Sequence, residues 1–310
     1  MNAADPRWGL EPTEIAALLR QGAAMLNPPE RPRPPLDGFG GELPAHRIGV
    51  GTEFAETKPY EPGDDPRHIH WRASARTNRL QVRRFQRDAT PTACLAIDTG
   101  PSMRFGTRAR LKVTQALRLA TLFAGWELHQ GAALSVLTLG EGMCWVPPRR
   151  GPSAALILGR IPELSRNCPG AAVAGWRGRV DFLAEHLEPG DRIHLISDFR
   201  DLDPADAGLL AALSAEHSVR AQVIHDPAER GLPQGATWGL HWGDQRLLVE
   251  ATPRRDPVTD AWHQHHARVS DTLRRAGIGA SWISTADADL PRALAWAAGS
   301  AMDAAGTGHG

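Results

Sequence analysis

The sequence contains very little cysteine. Three residues of this type, Cys94, Cys144 and Cys168, are spread over 310 positions without any Cys-x-x-Cys spacing. This excludes a disulfide-rich secreted scaffold and the usual cysteine-based zinc and dithiol motifs. Cys94 lies in a short apolar run and is expected to pack as a small hydrophobic residue. The pattern favours a reducing compartment, the cytoplasm.

Long hydrophobic runs are also missing. The most apolar segment, residues 117–126, is interrupted by Arg118 and falls well short of the ~20 residues that cross a bilayer. The first residues lack the charged and apolar regions of a signal peptide. We therefore expect a cytoplasmic protein with no direct membrane insertion.

Neither sign of charge is in excess, because Lys+Arg and Asp+Glu each number 35. A balanced chain of this kind does not predict a nucleic-acid partner. The nucleophile-elbow and phosphate-loop motifs of common hydrolases and nucleotide-binding enzymes are absent from the sequence as well. The sequence therefore predicts a protein that is not an enzyme.

Apolar runs and helical patterns alternate from residue 92 onward. Short apolar runs that end at Asp98 and Asp198 are separated by helical patterns such as residues 110–129. This alternation is typical of buried parallel strands joined by helices. The predicted fold class is α/β, with a mostly parallel, doubly wound sheet. Two strand patterns around Gly243-Asp244 predict an inserted β-hairpin.

The region before this alternation has a different composition. A helix is predicted over residues 12–26, and a linker rich in proline, glycine and arginine follows it. We divide the chain into an N-terminal helix, linker and arginine-rich region (1–88), an α/β domain (89–303) and a disordered tail (304–310).

Two acidic side chains and a hydroxyl follow the ends of predicted strands. Asp98 ends one strand, Ser102 follows it by four residues, and Asp198 ends another strand. Because the carboxyl ends of parallel strands share one edge of a sheet, these side chains are expected to lie close together. Their oxygens suit a divalent cation, Mg²⁺ or a similar ion. The alternative is that the acids only cap the helices that follow.

Two segments resemble known families. The segment Asp98-Thr99-Gly100-Pro101-Ser102 resembles the Asp-x-Ser-x-Ser metal-ion-dependent adhesion motif of von Willebrand factor A domains. An upstream segment resembles the signature of the bacterial domain-of-unknown-function family fifty-eight. The signature residues, which we treat as structural, are Tyr60, Gly63, Asp64, Asp65, Arg67, Trp71, Ser74 and Arg76. This resemblance implies a sheet of the von Willebrand factor A type and a partner, a MoxR-type AAA+ ATPase.

The chain departs from both patterns at particular residues. Gly100 stands where the adhesion motif has its first serine, and His70 stands where the signature usually has an aspartate. The threonine of the adhesion motif is not identifiable further along the chain. The resemblance therefore implies metal ligands only at Asp98, Ser102 and Asp198, which would form a degenerate metal-ion-dependent adhesion site.

Seven arginines and no acidic residue lie between Arg67 and Arg87, both included. They can pair with the acids just upstream or form a docking face for an acidic partner or a phosphate. We assign internal pairing to Arg67, Arg72 and Arg76. The predicted partner-binding residues are Arg79, Arg83, Arg84 and Arg87.

Together with the resemblance, these features predict a non-enzymatic adaptor or scaffold. It would work with a MoxR-type AAA+ ATPase in the chaperone-like maturation or remodelling of a client protein complex. Either the degenerate adhesion site or the bare loop edge would bind the partner. The alternative is a metal-dependent, phosphoesterase-like hydrolase that uses Asp98 and Asp198.

Overall fold

The computed structural model describes eleven stretches of the chain. They are residues 9–25, 48–60, 69–77, 79–86, 92–107, 109–140, 142–167, 175–231, 237–242, 245–250 and 257–295. By their contacts, residues 35–90 form one compact unit, and residues 1–34 together with 91–310 form a second, larger one. The larger unit is therefore built from two separate segments of the sequence.

Helices and strands alternate along much of the chain. The elements in chain order are α1 (Pro12–Ala23), β1 (Ile48–Pro59), α2 (Trp71–Thr77), β2 (Gln81–Gln86), β3 (Thr92–Asp98), α3 (Lys112–His129), β4 (Ala133–Leu139), β5 (Met143–Arg149), α4 (Pro152–Leu156), α5 (Ile161–Arg166), α6 (Gly175–His186), β6 (Arg192–Ser197), α7 (Ala207–Glu216), β7 (Ser218–His225), β8 (Thr237–Trp242), β9 (Gln245–Glu250), α8 (Pro257–Arg275) and β10 (Gly279–Ser284). Residues 290–295 are helical as well.

A six-stranded sheet forms the centre of the larger unit. Its spatial order is β10-β7-β6-β3-β4-β5. The first four pairings are parallel, and the last, between β4 and β5, is antiparallel. Helices lie on both faces of this sheet. The predicted α/β fold with a mostly parallel sheet is thus confirmed.

Side chains of the central strand β3 alternate between the two faces of the sheet. Leu95 and Ile97 belong to one hydrophobic cluster, whereas Cys94 and Ala96 belong to the other. All four side chains are fully buried. A parallel strand that is covered on both faces is apolar at every position, which explains the unbroken apolar run before Asp98.

The long helix α3 covers one face of the sheet and is itself covered by α1. Every residue of α3 from Lys112 to Glu127 is buried. On α1, Leu18 is buried, and the Glu14 carboxylate pairs with Nε of Arg118 at 2.7 Å. The sequence grouped α1 with the arginine-rich region, whereas these contacts join it to the larger unit.

Helices α6, α7 and α8 contribute to the opposite hydrophobic cluster. Trp176 of α6 stacks on Phe199 with 5.2 Å between the ring centroids, and both rings are buried. Val269 and Leu273 of α8 lie in the same cluster. Phe199 has a φ of 51°, a left-handed backbone conformation that is uncommon for a residue other than glycine. The chain therefore turns sharply just after Asp198.

The smaller unit contains helix α2 and an antiparallel pair of strands, β1 and β2. Ser74 joins these elements. Its hydroxyl donates to the carbonyl oxygen of His70 at 3.1 Å and accepts from the amide of Gln81 at 2.8 Å. Trp71, the first residue of α2, is 69% exposed.

The predicted hairpin is formed by β8 and β9, which pair antiparallel with Thr237 opposite Glu250. Within the described stretches, no helix combines the length and the apolar character that crossing a membrane requires. Several predicted features lie outside those stretches: Gly63, Asp64, Asp65, Arg67, Arg87 and the tail at 304–310.

Candidate functional site

The three predicted site residues come together at the carboxyl edge of the sheet. Strands β3 and β6 are parallel neighbours, so Asp98 and Asp198 emerge side by side. Their exposed fractions are only 5% and 3%. Ser102 lies in the short 3-10 turn after β3, and its hydroxyl helps to hold the pKa of Asp198 below its ordinary value. The sheet topology thus assembles the predicted cluster.

Both carboxylate oxygens of Asp98 accept hydrogen bonds from nearby groups. The amide of Gly100 donates to Oδ1 at 2.8 Å, and the hydroxyl of Ser197 donates to Oδ2 at 2.6 Å. A Cβ atom at position 100 would lie 3.0 Å from Oδ1 of Asp98. This tight contact is a physical reason for glycine at the position where the adhesion motif has serine.

Asp98 holds its proton more tightly than an ordinary aspartate. Burial, followed by the charge of Asp198, raises the pKa of Asp98 to about 6. The hydrogen bonds from Ser197 and Gly100 oppose this shift without cancelling it. Near pH 6, therefore, Asp98 changes between a neutral acid and a buried anion.

A lysine that the sequence reasoning missed completes the cluster. Lys112, the first residue of α3, is 1% exposed. Its Nζ lies 2.8 Å from Oδ2 of Asp198 and 2.7 Å from Oε1 of Glu229. Burial alone would lower the pKa of Lys112, but the two carboxylates raise it. Conversely, burial opposes ionisation of Asp198, and the charge of Lys112 holds the pKa of Asp198 below its ordinary value.

Glu229 reaches this point from the loop after the next strand, β7. In the 3-10 turn Pro227–Glu229, Asp226 and Glu229 form a reciprocal capping box. Oε2 of Glu229 accepts from the amide of Asp226 at 2.8 Å, which leaves Oε1 to accept from Lys112. The sequence does contain the capping pattern after a strand, but it does not show which cation the glutamate meets.

These residues, as arranged, do not fit the divalent cation that the adhesion motif implies. The ammonium of Lys112 already contacts the Asp198 carboxylate, and both oxygens of Asp98 are engaged by Gly100 and Ser197. Within the part of the chain that the structure describes, no three Asp, Glu, His or Cys side chains form a ligand set for a metal ion. The cluster is a buried ion-pair network in this geometry.

A cavity of about 770 Å³ opens beside the cluster, bounded by α8 and by the loops after β6 and β7. Its polar rim carries Arg200 and Arg268, and Trp262 forms part of its wall. The guanidinium of Arg268 donates to the carbonyl oxygen of Arg200 at 3.2 Å. Nε2 of His265 lies 3.0 Å from the carbonyl oxygen of Asp198. The cavity is therefore continuous with the predicted site.

The two histidines of the cavity are neutral near pH 7. Burial, reinforced by the charge of Arg230, lowers the pKa of His225 to about 4. Burial and the charge of Arg268 lower the pKa of His265 as well. The charged residues that line the cavity are thus Arg200, Arg268, Asp198 and Glu229, and together with the buried Lys112, which pairs with both acids, they sum to +1.

The four arginines that the sequence assigned to partner binding belong to the smaller unit. Arg79 is exposed. Arg83 and Arg84 lie on β2, where their register partners on β1 are Thr57 and Glu56. Arg87 lies outside the described residues. The structure therefore supports an accessible position for Arg79 and leaves the other three as predictions.

Replacing Asp98 by asparagine should change how stability depends on pH. Because the folded-state pKa is raised above the ordinary value of 3.8, protonation of Asp98 stabilises the fold at low pH. That contribution is lost as the pH rises through about 6. Asparagine stays neutral. Relative to wild type, Asp98→Asn should therefore gain about 1–3 kcal/mol of unfolding free energy between pH 4 and pH 7.

Urea denaturation of both proteins across this pH range measures the difference directly. Contributions from other groups, such as His225, are common to both proteins and cancel. A difference that stays constant with pH would show that the Asp98 carboxylate is not destabilised by its surroundings.

The fold and the cluster define an α/β protein whose sheet carries a buried ion-pair network at its carboxyl edge, in place of an open metal site. The chain belongs to the family described as "Protein of unknown function DUF58", whose pattern it matches over residues 56–270. Uncharacterized proteins from Mycobacterium bovis and Mycobacterium tuberculosis are each 30% identical over 248 residues, which cover 76% of this chain and 75% of theirs.

Solved structures that match the chain include two proteins from Bacteroides. An aerotolerance-related membrane protein from Bacteroides fragilis covers 68% of this chain and 99% of its own, with 12% identity and a TM-score of 0.40. The conserved hypothetical protein BatB from Bacteroides thetaiotaomicron covers 67% and 99%, with the same identity and TM-score.

Proposed function

We propose that this protein is a cytoplasmic, non-enzymatic adaptor that works with a MoxR-type AAA+ ATPase in maturing or remodelling a client protein complex. The proposed sheet type is that of von Willebrand factor A domains, which bind partners at the carboxyl edge of the sheet. Support comes from the signature around Trp71 and Ser74 and from the cavity at that edge. We assign the cavity to an acidic segment of the ATPase.

The observation that carries this proposal is the charge at the cavity rim. Asp198 and Glu229 both pair with the buried Lys112, and Glu229 also lies within 3.9 Å of Arg200. The side chain of Arg200 is 63% exposed, and Arg268 is exposed beside it. Two accessible guanidinium groups at the rim suit a partner's carboxylates, which arginine binds with paired hydrogen bonds.

The same geometry argues against the hydrolase alternative. A hydrolase of that type needs carboxylates that are free to hold a metal or to activate water. Asp198 instead accepts from Lys112 and from the amide of Arg200, at 2.8 and 3.2 Å. Asp98 accepts from Gly100 and Ser197. Each oxygen of both aspartates thus already accepts a hydrogen bond within the fold.

Charge reversal at the cavity rim tests the proposal. The purified chain would be used to capture its cognate MoxR-type ATPase, as wild type and as Arg268→Glu. Because a glutamate would face the partner's acids, we expect the dissociation constant to rise at least tenfold, about 1.4 kcal/mol. The matched control is Arg274→Glu on the same helix, where the arginine is exposed and pairs with Asp271 three residues earlier.

Three outcomes separate the possible surfaces. Loss of capture with Arg268→Glu but not with Arg274→Glu supports docking at the cavity. If both variants bound the ATPase equally and Arg79→Glu lost binding, the docking site would lie in the arginine-rich region of the smaller unit, and the cavity assignment would be contradicted. Absence of capture by wild type would overturn the ATPase partner.

A further inference from the structure

Lys112 lies where three loops of the larger unit meet. Its side chain joins the loop after β6 through Asp198 and the loop after β7 through Glu229. Its backbone amide donates to the carbonyl oxygen of Phe105 at 2.8 Å, which fastens the loop after β3. One residue therefore ties together the carboxyl ends of three neighbouring strands.

We infer that the ammonium of Lys112 is a built-in cation that takes the place of the divalent ion implied by the adhesion motif. Two carboxylate oxygens, from Asp198 and Glu229, converge on Nζ at less than 3 Å. This convergence from separate loops is what a bound metal ion normally organises. Here the ammonium of Lys112, which is part of the protein, holds the two carboxylates together, and the edge of the sheet is organised without a metal ion.

The balance of charge around Lys112 agrees with this inference. A buried carboxylate is costly unless it is paired and hydrogen-bonded. Asp198 and Glu229 meet one internal cation, and Arg200 approaches Glu229 at 3.9 Å from the solvent side. Asp98 does not take part, because Gly100 and Ser197 supply its hydrogen bonds. Side chains of the protein, Lys112 and Arg200, thus supply the positive charge next to Asp198 and Glu229.

This inference can be tested on the isolated chain, so its failure is distinct from failure of the proposed partner. The melting temperature would be measured with MnCl₂, MgCl₂ or EDTA. Wild type should melt at the same temperature in all three. Lys112→Ala leaves two carboxylates unpaired and makes room for an ion. It should melt roughly 10 °C lower and recover at least half of that loss with Mn²⁺.

The double variant Lys112→Ala/Asp198→Asn is the control, and Mn²⁺ should not raise its melting temperature. A rise in wild type with Mn²⁺ that disappears in Asp198→Asn would overturn the inference, because a metal would then bind beside Lys112. The inference would also be overturned if Mn²⁺ left the melting temperature of Lys112→Ala unchanged, because Mn²⁺ could then not replace the ammonium of Lys112 at this site.

A measurement on wild type remains decisive if Lys112→Ala does not fold. Paramagnetic Mn²⁺ broadens the NMR signals of amides close to its binding site. The amides of Gly100 and Arg200 donate to the carboxylates of Asp98 and Asp198, so they report on this position. Unchanged signals for both amides support the built-in cation, and selective broadening of them contradicts it.

Discussion

Replacing Glu127 by alanine should lower the free energy of unfolding by about 3–5 kcal/mol. Glu127 lies on α3 with a fully buried side chain, and its carboxylate meets two residues of β6. Nε of Arg192 donates to Oε2 at 2.8 Å, and Nε2 of His194 lies 2.8 Å from Oε1. Alanine would leave the half-buried guanidinium of Arg192 and the buried imidazole of His194 without this acceptor. Chemical denaturation at neutral pH measures the loss.

Glu127→Gln provides the matched control, because it keeps the size and one acceptor oxygen but removes the charge. Glu127→Gln should lose clearly less unfolding free energy than Glu127→Ala, because the glutamine side-chain oxygen can still accept from Nε2 of His194. The amide nitrogen of the glutamine would then face the guanidinium donors of Arg192, so both bonds to Arg192 would be lost. Equal losses in both variants would show that charge dominates the network. A loss below about 1 kcal/mol in Glu127→Ala would contradict our assignment of a buried ion pair.

Adding a single methyl group between α1 and α3 should also be strongly destabilising. A Cβ atom at Gly22 would lie 1.9 Å from the carbonyl oxygen of Leu122, and one at Gly125 would lie 2.2 Å from that of Leu19. These neighbours are backbone atoms, which cannot rotate away as a side chain does. Gly22→Ala and Gly125→Ala should each cost about 3 kcal/mol, by forcing the helices apart. Denaturation measures the cost, and limited proteolysis within α1 reports its release.

Gly208→Ala on α7 is the control for the glycine variants. No atom lies within 4 Å of a Cβ placed at this exposed helical position. Alanine should therefore stabilise the protein by about 0.5–1 kcal/mol, through its better helix propensity. If Gly125→Ala behaved like Gly208→Ala, the close approach of α1 to α3 would be refuted.

Much of the fold could be predicted from local patterns. The apolar run before Asp98 and the similar run before Asp198 are buried on both faces, and such strands leave a clear signal in the sequence. Their carboxyl ends come together because β3 and β6 are adjacent and parallel. The location of the candidate site therefore follows from two strand predictions and one rule of sheet topology.

The chemistry of the site could not be predicted in the same way. Lys112 begins an ordinary helix, and a lysine there is usually exposed to solvent. Its burial depends on Asp198 and Glu229, which lie about 90 and 120 residues away in sequence and reach it only through the order of the strands. Likewise, the buried Arg118 on α3 is covered by α1. Pairings of this kind are properties of the assembled tertiary structure.

The placement of α1 has a consequence for how the chain is made. This helix precedes its docking surface on α3 by about one hundred residues in the sequence. Closing a loop of that length costs on the order of 4 kcal/mol in chain entropy, and doubling the length adds only about 0.6 kcal/mol. The segment between α1 and β3 can therefore lengthen or shorten during evolution at little cost to the larger unit. During synthesis, however, α1 cannot dock until α3 has been made, so its final packing waits for that later segment.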